Sequence, residues 1–266
     1  MNKDGRKTDI SKYSLKRLYH FIPSITMSHQ LNPVDGGIGS IISDTRYESR
    51  IITVRFLYES YDIQDYYLLR DEINALFTRD KFFYIIFKNE SYKRYKVRLN
   101  GNFLVTPAQY MEQFDVEFIC EDLYAESIST TRTHKEWDLN RWAWNGEITW
   151  DDDLRYAFTT NEFTVKNLGN VTIDPRQVYC MIEIEGIFAS GVTITNKTTG
   201  DVYHYSGPID DDDMLILDGV RTFYNGESRF FMTNKRLLTL VPGDNNFIVT
   251  GGRVDSIIFD FKFLYL

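Results

Sequence analysis

From Phe158 to the C terminus the chain reads as short β-forming runs cut at regular intervals by turn signals. The punctuation is Asn167-Leu168-Gly169-Asn170, Thr199-Gly200-Asp201, Asp218-Gly219, Asn225-Gly226 and Pro242-Gly243-Asp244. Glycine, asparagine and aspartate reverse a chain because they tolerate the backbone angles that tight turns need. The runs between them are Glu162–Asn167, Gln177–Glu185, Gly191–Asn196, Asp201–Tyr205, Met214–Leu217, Thr222–Tyr224, Lys235–Leu240, Asn246–Thr250 and Ser256–Tyr265. None carries a helical stripe, and strands at this spacing predict a β-sandwich.

The first half is built differently. Ile51–Tyr58 is rich in β-branched and aromatic residues and predicts a strand with a buried face. Asp62–Asp80 predicts a helix, because Ile63, Tyr66, Leu69 or Arg70, Ile73, Leu76 and Phe77 fall at three- and four-residue spacing behind an Asp62 cap. Phe82–Phe87 reads as a buried strand, Arg94–Leu99 as another, and Gln113–Cys120 as a half-exposed strand. Gln30–Ser43, with Asn32-Pro33 and Asp35-Gly36-Gly37, reads as a loop. Residues 1–17 hold six Lys or Arg against two Asp and read as an arm that is mobile or lies on a partner. Aromatics are 15% of the chain and there are only six alanines, a balance that favours strands throughout.

Charge separates the halves. Residues 1–132 carry equal numbers of acidic and basic side chains, and the whole net charge of −8 lies in residues 133–266. A neutral, aromatic segment packs against copies of itself with little self-repulsion. All four tryptophans, Trp137, Trp142, Trp144 and Trp150, lie between the halves. The reading is a mainly β chain with three parts: a domain over 1–132 with one α-helix, a Trp-rich linker over 133–150, and a β-sandwich over 151–266.

Chemistry is hard to find. An acidic chain lacks the cationic surplus that phosphate neutralisation needs, which argues against nucleic-acid recognition. No apolar run spans a bilayer, the first ten residues hold no signal-like stretch, and two cysteines make no disulfide framework, as expected of a protein made in a reducing cytoplasm. His20, His29, His134 and His204 belong to no catalytic motif, and Cys120 and Cys180 are 60 residues apart with no zinc spacing. Phosphate-cradling glycine loops are absent. Asp151–Asp153 and Asp210–Asp213 are either calcium ligands or solvated loops. The tryptophans either stack on sugar rings or fill a core. No catalytic, cofactor-binding or metal-ligating residue is assigned, and no cofactor is expected.

A family resemblance rests on the order of several motifs. Leu31-Asn32-Pro33-Val34-Asp35-Gly36-Gly37 followed by Tyr47-Glu48-Ser49-Arg50-Ile51-Ile52-Thr53-Val54-Arg55-Phe56 resembles the N-terminal domain of siphophage distal tail (Dit) proteins. Leu69-Arg70-Asp71-Glu72-Ile73, Tyr84-Ile85-Ile86-Phe87, Tyr95–Gly101 and Phe118–Ala125 fit the same pattern. Asn167–Asn170, Ile182–Gly186, Ile194–Gly200 and Leu240–Asn246 are similar to the family's C-terminal galectin-like sandwich. The resemblance implies a structural, non-enzymatic virion component at the phage tail tip or baseplate, assembled in the host cytoplasm. It implies a homo-hexameric ring of N-terminal domains between the major tail tube protein and a tail-associated lysin or fibre protein. The C-terminal domain is then the part that docks receptor-binding or adaptor proteins. A carbohydrate-binding module and a cell-wall glycoside hydrolase are the alternatives.

Overall fold

The computed structural model describes residues 8–33, 38–107, 111–133 and 154–266. The four tryptophans, His134, Asp151–Asp153 and nearly all of the proposed linker 133–150 lie outside the described residues. Two compact units emerge. One joins the described residues up to Lys88 with Arg94–Ala125 and Leu266; the other joins Asn89–Lys93 with those from Glu126 to Tyr265.

The first unit starts with a 3-10 turn, Ile10–Tyr13, whose N-terminus is capped by the Asp9 carboxylate. Then follow β1 (Leu15–Phe21), β2 (Met27–Pro33), β3 (Ser40–Tyr47), β4 (Ile51–Glu59), α1 (Ile63–Phe77), β5 (Phe83–Ile85), β6 (Lys93–Leu99) and β7 (Met111–Cys120). Strand order in the unit's antiparallel sheet is β1-β4-β7-β6, with β5 on the far side of β6. The expected strand at 51–58 is the inner strand β4, which buries Ile52, Val54, Phe56 and Tyr58. Against that face lies the predicted stripe of α1, with Tyr66, Leu69, Ile73, Leu76 and Phe77 all buried. Phe77 meets Phe56 at 5.2 Å and Phe118 at 5.5 Å between ring centroids. Each of these large side chains contributes ~1.5–3 kcal/mol by leaving water, which is why the helix forms here.

Three expectations for this unit change. The described part of the arm, residues 8–17, packs on its own chain: Leu15 is buried and β1 pairs along β4. The segment Gln30–Ser43 is not a loop but most of a hairpin: β2 and β3 pair from Met27↔Tyr47 to Pro33↔Ser40. Pro33 closes β2 rather than breaking it, and residues 34–37 lie outside the described residues. The apolar run Phe82–Phe87 gives only the three-residue strand β5, which pairs with β6 alone and stays half-buried.

The second unit comprises β8 (Ala125–Ser127), β9 (Ala157–Phe158), β10 (Glu162–Asn167), β11 (Cys180–Ile187), β12 (Val192–Asn196), β13 (Val202–Tyr205), β14 (Met214–Asp218), β15 (Arg221–Tyr224), β16 (Glu227–Ser228), β17 (Gly243–Thr250), β18 (Arg253–Phe261) and β19 (Leu264–Tyr265). One sheet runs β10-β17-β12-β13 and the other β16-β15-β14-β11-β18-β9. Their facing sides interlock through aromatic rings: Phe247 on β17 lies 5.0 Å from Phe259 on β18, and Phe163 on β10 lies 5.8 Å from the same ring. This is the expected sandwich. At Gly186 (φ +154°) β11 bulges against β18, and a Cβ there would lie 2.2 Å from the Arg253 carbonyl oxygen, so only glycine fits. Lys235–Leu240 is not a strand. Lys235 is left-handed (φ 59°), and Thr239 gives its N–H to the Asp201 carboxylate at 2.9 Å rather than to a neighbouring strand. The alternation there reflects burial of Leu238 and Leu240. No described helix is long and apolar enough to cross a membrane.

Candidate assembly surfaces

Among the described residues, the titratable groups singled out from the sequence are tied into the fold. His20 stacks on Phe87 with centroids 3.8 Å apart, and its Nδ1 meets the Arg17 guanidinium. His29 Nδ1 pairs with Thr45 Oγ1 at 3.0 Å, and His204 Nδ1 with Thr193 Oγ1 at 2.9 Å. Burial pushes the Cys120 thiol up to about 11 and the Cys180 thiol up to about 12, so neither forms a reactive thiolate near neutrality. Asp213 closes the turn that follows the acidic run. It accepts from Tyr224 Oη, from Asn225 Nδ2 at 2.7 Å and from the Asp210 N–H at 2.9 Å, and these donors hold its pKa below the usual carboxylate value. No described group of three or more His, Cys, Asp or Glu side chains is placed to hold a metal ion.

Interaction surfaces are more distinctive. The β2–β3 hairpin forms a two-stranded sheet of its own, and every described side chain in both strands is exposed. Its base is fixed: the Glu48 N–H donates to the Thr26 carbonyl at 2.9 Å, and the Arg50 carbonyl accepts the Cys120 N–H at 2.8 Å. Arg50 itself is buried and donates from Nη2 to the Leu123 carbonyl at 2.8 Å. The Tyr47-x-x-Arg50 pair therefore marks the point where the exposed ribbon enters the sheet.

A second surface is an open cleft of about 640 Å³ in the same unit, lined by Phe56, Leu76, Phe83, Ile86, Phe87 and Phe118 among others. A third is the outer edge of β1, where Tyr19 and Phe21 are exposed and meet edge-on at 5.2 Å. In the second unit, Phe231 is 70% exposed beside the partly exposed Phe230. Alternation along the sequence fits Tyr203, Tyr205, Phe223, Tyr224, Phe230 and Phe231 to core packing at least as well as to a sugar site. Tyr203 and Tyr205 are buried, but Phe230 and Phe231 fall on a 3-10 turn and face outward.

Residues 8–120 match the phage tail protein RIFT-related domain. The whole chain is similar in structure to the SPP1 Dit protein, described as a paradigm of the hub adsorption apparatus of phages that infect Gram-positive bacteria. That likeness has a TM-score of 0.68 at 16% identity and covers 96% of each chain. The chain has the fold of a distal tail protein. A chain of the phage P2 baseplate in its activated conformation, solved with calcium and with strontium, is similar at a TM-score of 0.42 and 10% identity, over 96% of this chain and 92% of that one. No curated protein matches in sequence. The surfaces that the distal tail fold leaves open here, a ribbon, a cleft and a strand edge, all belong to its first unit.

Proposed function

We propose that this chain is the distal tail protein of a siphophage, a structural and non-enzymatic hub component of the tail tip or baseplate assembled in the host cytoplasm. The observation that carries the reading is the distal tail fold over 96% of the chain, together with the phage tail domain over residues 8–120. Domain 1–132 closes a hexameric ring around the tail channel, one face meeting the tail tube and the other a tail-associated lysin or fibre protein. Domain 151–266 stands beyond the 133–150 linker and docks receptor-binding or adaptor proteins. A closed ring requires two different surfaces on each subunit, and the first unit offers several. Light scattering and negative-stain microscopy of the purified full chain test this: six-subunit rings are expected, and a strictly monomeric chain, alone and with the tail tube protein, overturns it.

One observation favours a second use of the sandwich. The exposed rings of Phe230 and Phe231 are the kind of apolar platform on which a sugar face stacks. Calorimetry of the full chain against wall polysaccharide separates the two. Saturable heat that is lost in Phe231→Ala supports carbohydrate binding, and heat only with a tail fibre or adaptor protein supports docking.

A further inference from the structure

The two faces of the β2–β3 ribbon differ in chemistry. Its register puts Met27, Leu31, Pro33, Ile42 and Tyr47 on one face, around the His29–Thr45 pair. The other face carries Ser28, Gln30, Asn32, Asp44 and Arg46, with an Arg46–Asp44 ion pair and Ile41 as the one apolar residue. A bulge between Gln30 and Leu31 leaves Ser43 unpaired and so puts Ile42 on the face opposite Asp44, while its neighbour Ile41 falls on the polar face by ordinary alternation; both are well exposed, at 55% and 63%. A two-stranded ribbon alone is marginal in water and needs its apolar face covered. Nothing in its own chain covers it among the described residues.

We infer that the apolar face of this ribbon seats in the β5 cleft of a second copy of the same chain. The inference rests on the ring reading and names the contact that closes the ring. The cleft's volume of about 640 Å³ and its mainly apolar wall, which also carries Asp9, Arg17, Arg79 and Lys88, suit a few large apolar side chains. Ribbon and cleft are two different surfaces of one unit, which is the arrangement a head-to-tail interface uses. Residues 1–132 carry no net charge, so copies approach without the repulsion that an acidic partner surface of the second half would feel. The seven-residue strand β2 spans roughly 24 Å at about 3.4 Å per residue, a reach that suits contact with a neighbour.

The adjacent isoleucines give the test. Ile42→Asp in the full chain is expected to reduce rings to single chains by light scattering while the thermal midpoint of the monomer stays unchanged. Ile41→Asp, with equal charge and exposure on the polar face, is expected to leave the rings intact. In parallel, Leu31→Cys and Ile86→Cys placed in one chain are expected to form a ladder of intermolecular disulfides on mild oxidation, with neither single variant doing so. The native Cys120 and Cys180 are both buried and do not compete. Rings that survive Ile42→Asp without the ladder overturn this contact and leave the ring reading standing. A disulfide formed only within one chain overturns the second copy as occupant. A wild-type chain that never assembles overturns the ring reading and this inference with it.

Discussion

Three buried asparagines hold turns of the sandwich in place. Asn167, Asn196 and Asn245 are buried, and each spends its amide on the backbone of a turn. Asn167 donates to the Val171 carbonyl at 2.9 Å and accepts from Gly169 N–H at 2.9 Å. Asn196 donates to the Thr239 carbonyl at 2.8 Å and accepts from Thr198 N–H at 3.0 Å. Asn245 donates to the Val241 carbonyl at 2.8 Å and accepts from Val241 N–H at 3.0 Å. Asn245→Ala removes both roles at once and leaves buried groups unpaired, so a loss of ~2–4 kcal/mol is expected in urea unfolding. The buried thiols give a second prediction at this scale. Because burial raises Cys120 to about 11 and Cys180 to about 12, the folded chain holds these protons after the unfolded chain releases them. Their stabilisation is complete below the ordinary thiol value of 9.0 and is lost as pH rises through 11 and 12. Urea midpoints measured in steps from neutral to strongly alkaline pH should fall in that window, and Cys180→Ala should flatten the fall. A thiol reagent at neutral pH should label neither cysteine until the chain unfolds.

Helix α1 is the element whose ends are most firmly written. Asp62 accepts from the N–H groups of Gln64 and Asp65, both at 2.8 Å, and the Asp65 carboxylate accepts the Tyr61 N–H at 2.8 Å. This reciprocal cap satisfies donors that a helix start otherwise leaves open. Asp62→Ala is expected to cost ~1 kcal/mol, read as a lower thermal midpoint by circular dichroism with the fold retained. The β5 edge behaves differently. Its residues are apolar enough for a buried strand, but with only β6 beside it the strand stays short and borders the cleft. An edge with apolar side chains is a surface that proteins normally cover, and in the proposed ring a neighbouring copy would supply that cover.

At the scale of the whole molecule, charge and apolar surface are divided between the halves. The first half has no net charge and holds the ribbon and the cleft; the second carries all of the −8. Salt screens charge within about 10 Å at 0.1 M and leaves apolar contact intact or stronger. Ring assembly through the first domain is therefore expected to persist from low to molar salt. Docking of a basic adaptor on the second domain should weaken over the same range, with both followed by light scattering and surface binding on the full chain.

Local pattern was enough for the inner strand β4, the stripe and cap of α1 and most of the strand-and-turn series of the sandwich. Each of these depends on neighbours within a few residues, where periodicity and turn chemistry act. The ribbon was hidden because its two strands alternate weakly and enclose a Pro- and Gly-rich reversal; only the pairing of Met27–Pro33 with Ser40–Tyr47 makes them a sheet. The cleft was hidden because Phe56, Leu76, Phe83 and Phe118 come from four different elements. Lys235–Leu240 looked like a strand because burial of alternate residues does not require a ladder, and the segment pairs only at its end, where Leu240 bridges to Ile173. Sequence determined most of the extended, helical and turning segments, because those depend on near neighbours, but not the β2–β3 ribbon or Lys235–Leu240. Tertiary structure alone decided which apolar side chains find cover within the chain and which stay exposed, because cover comes from segments far apart in sequence.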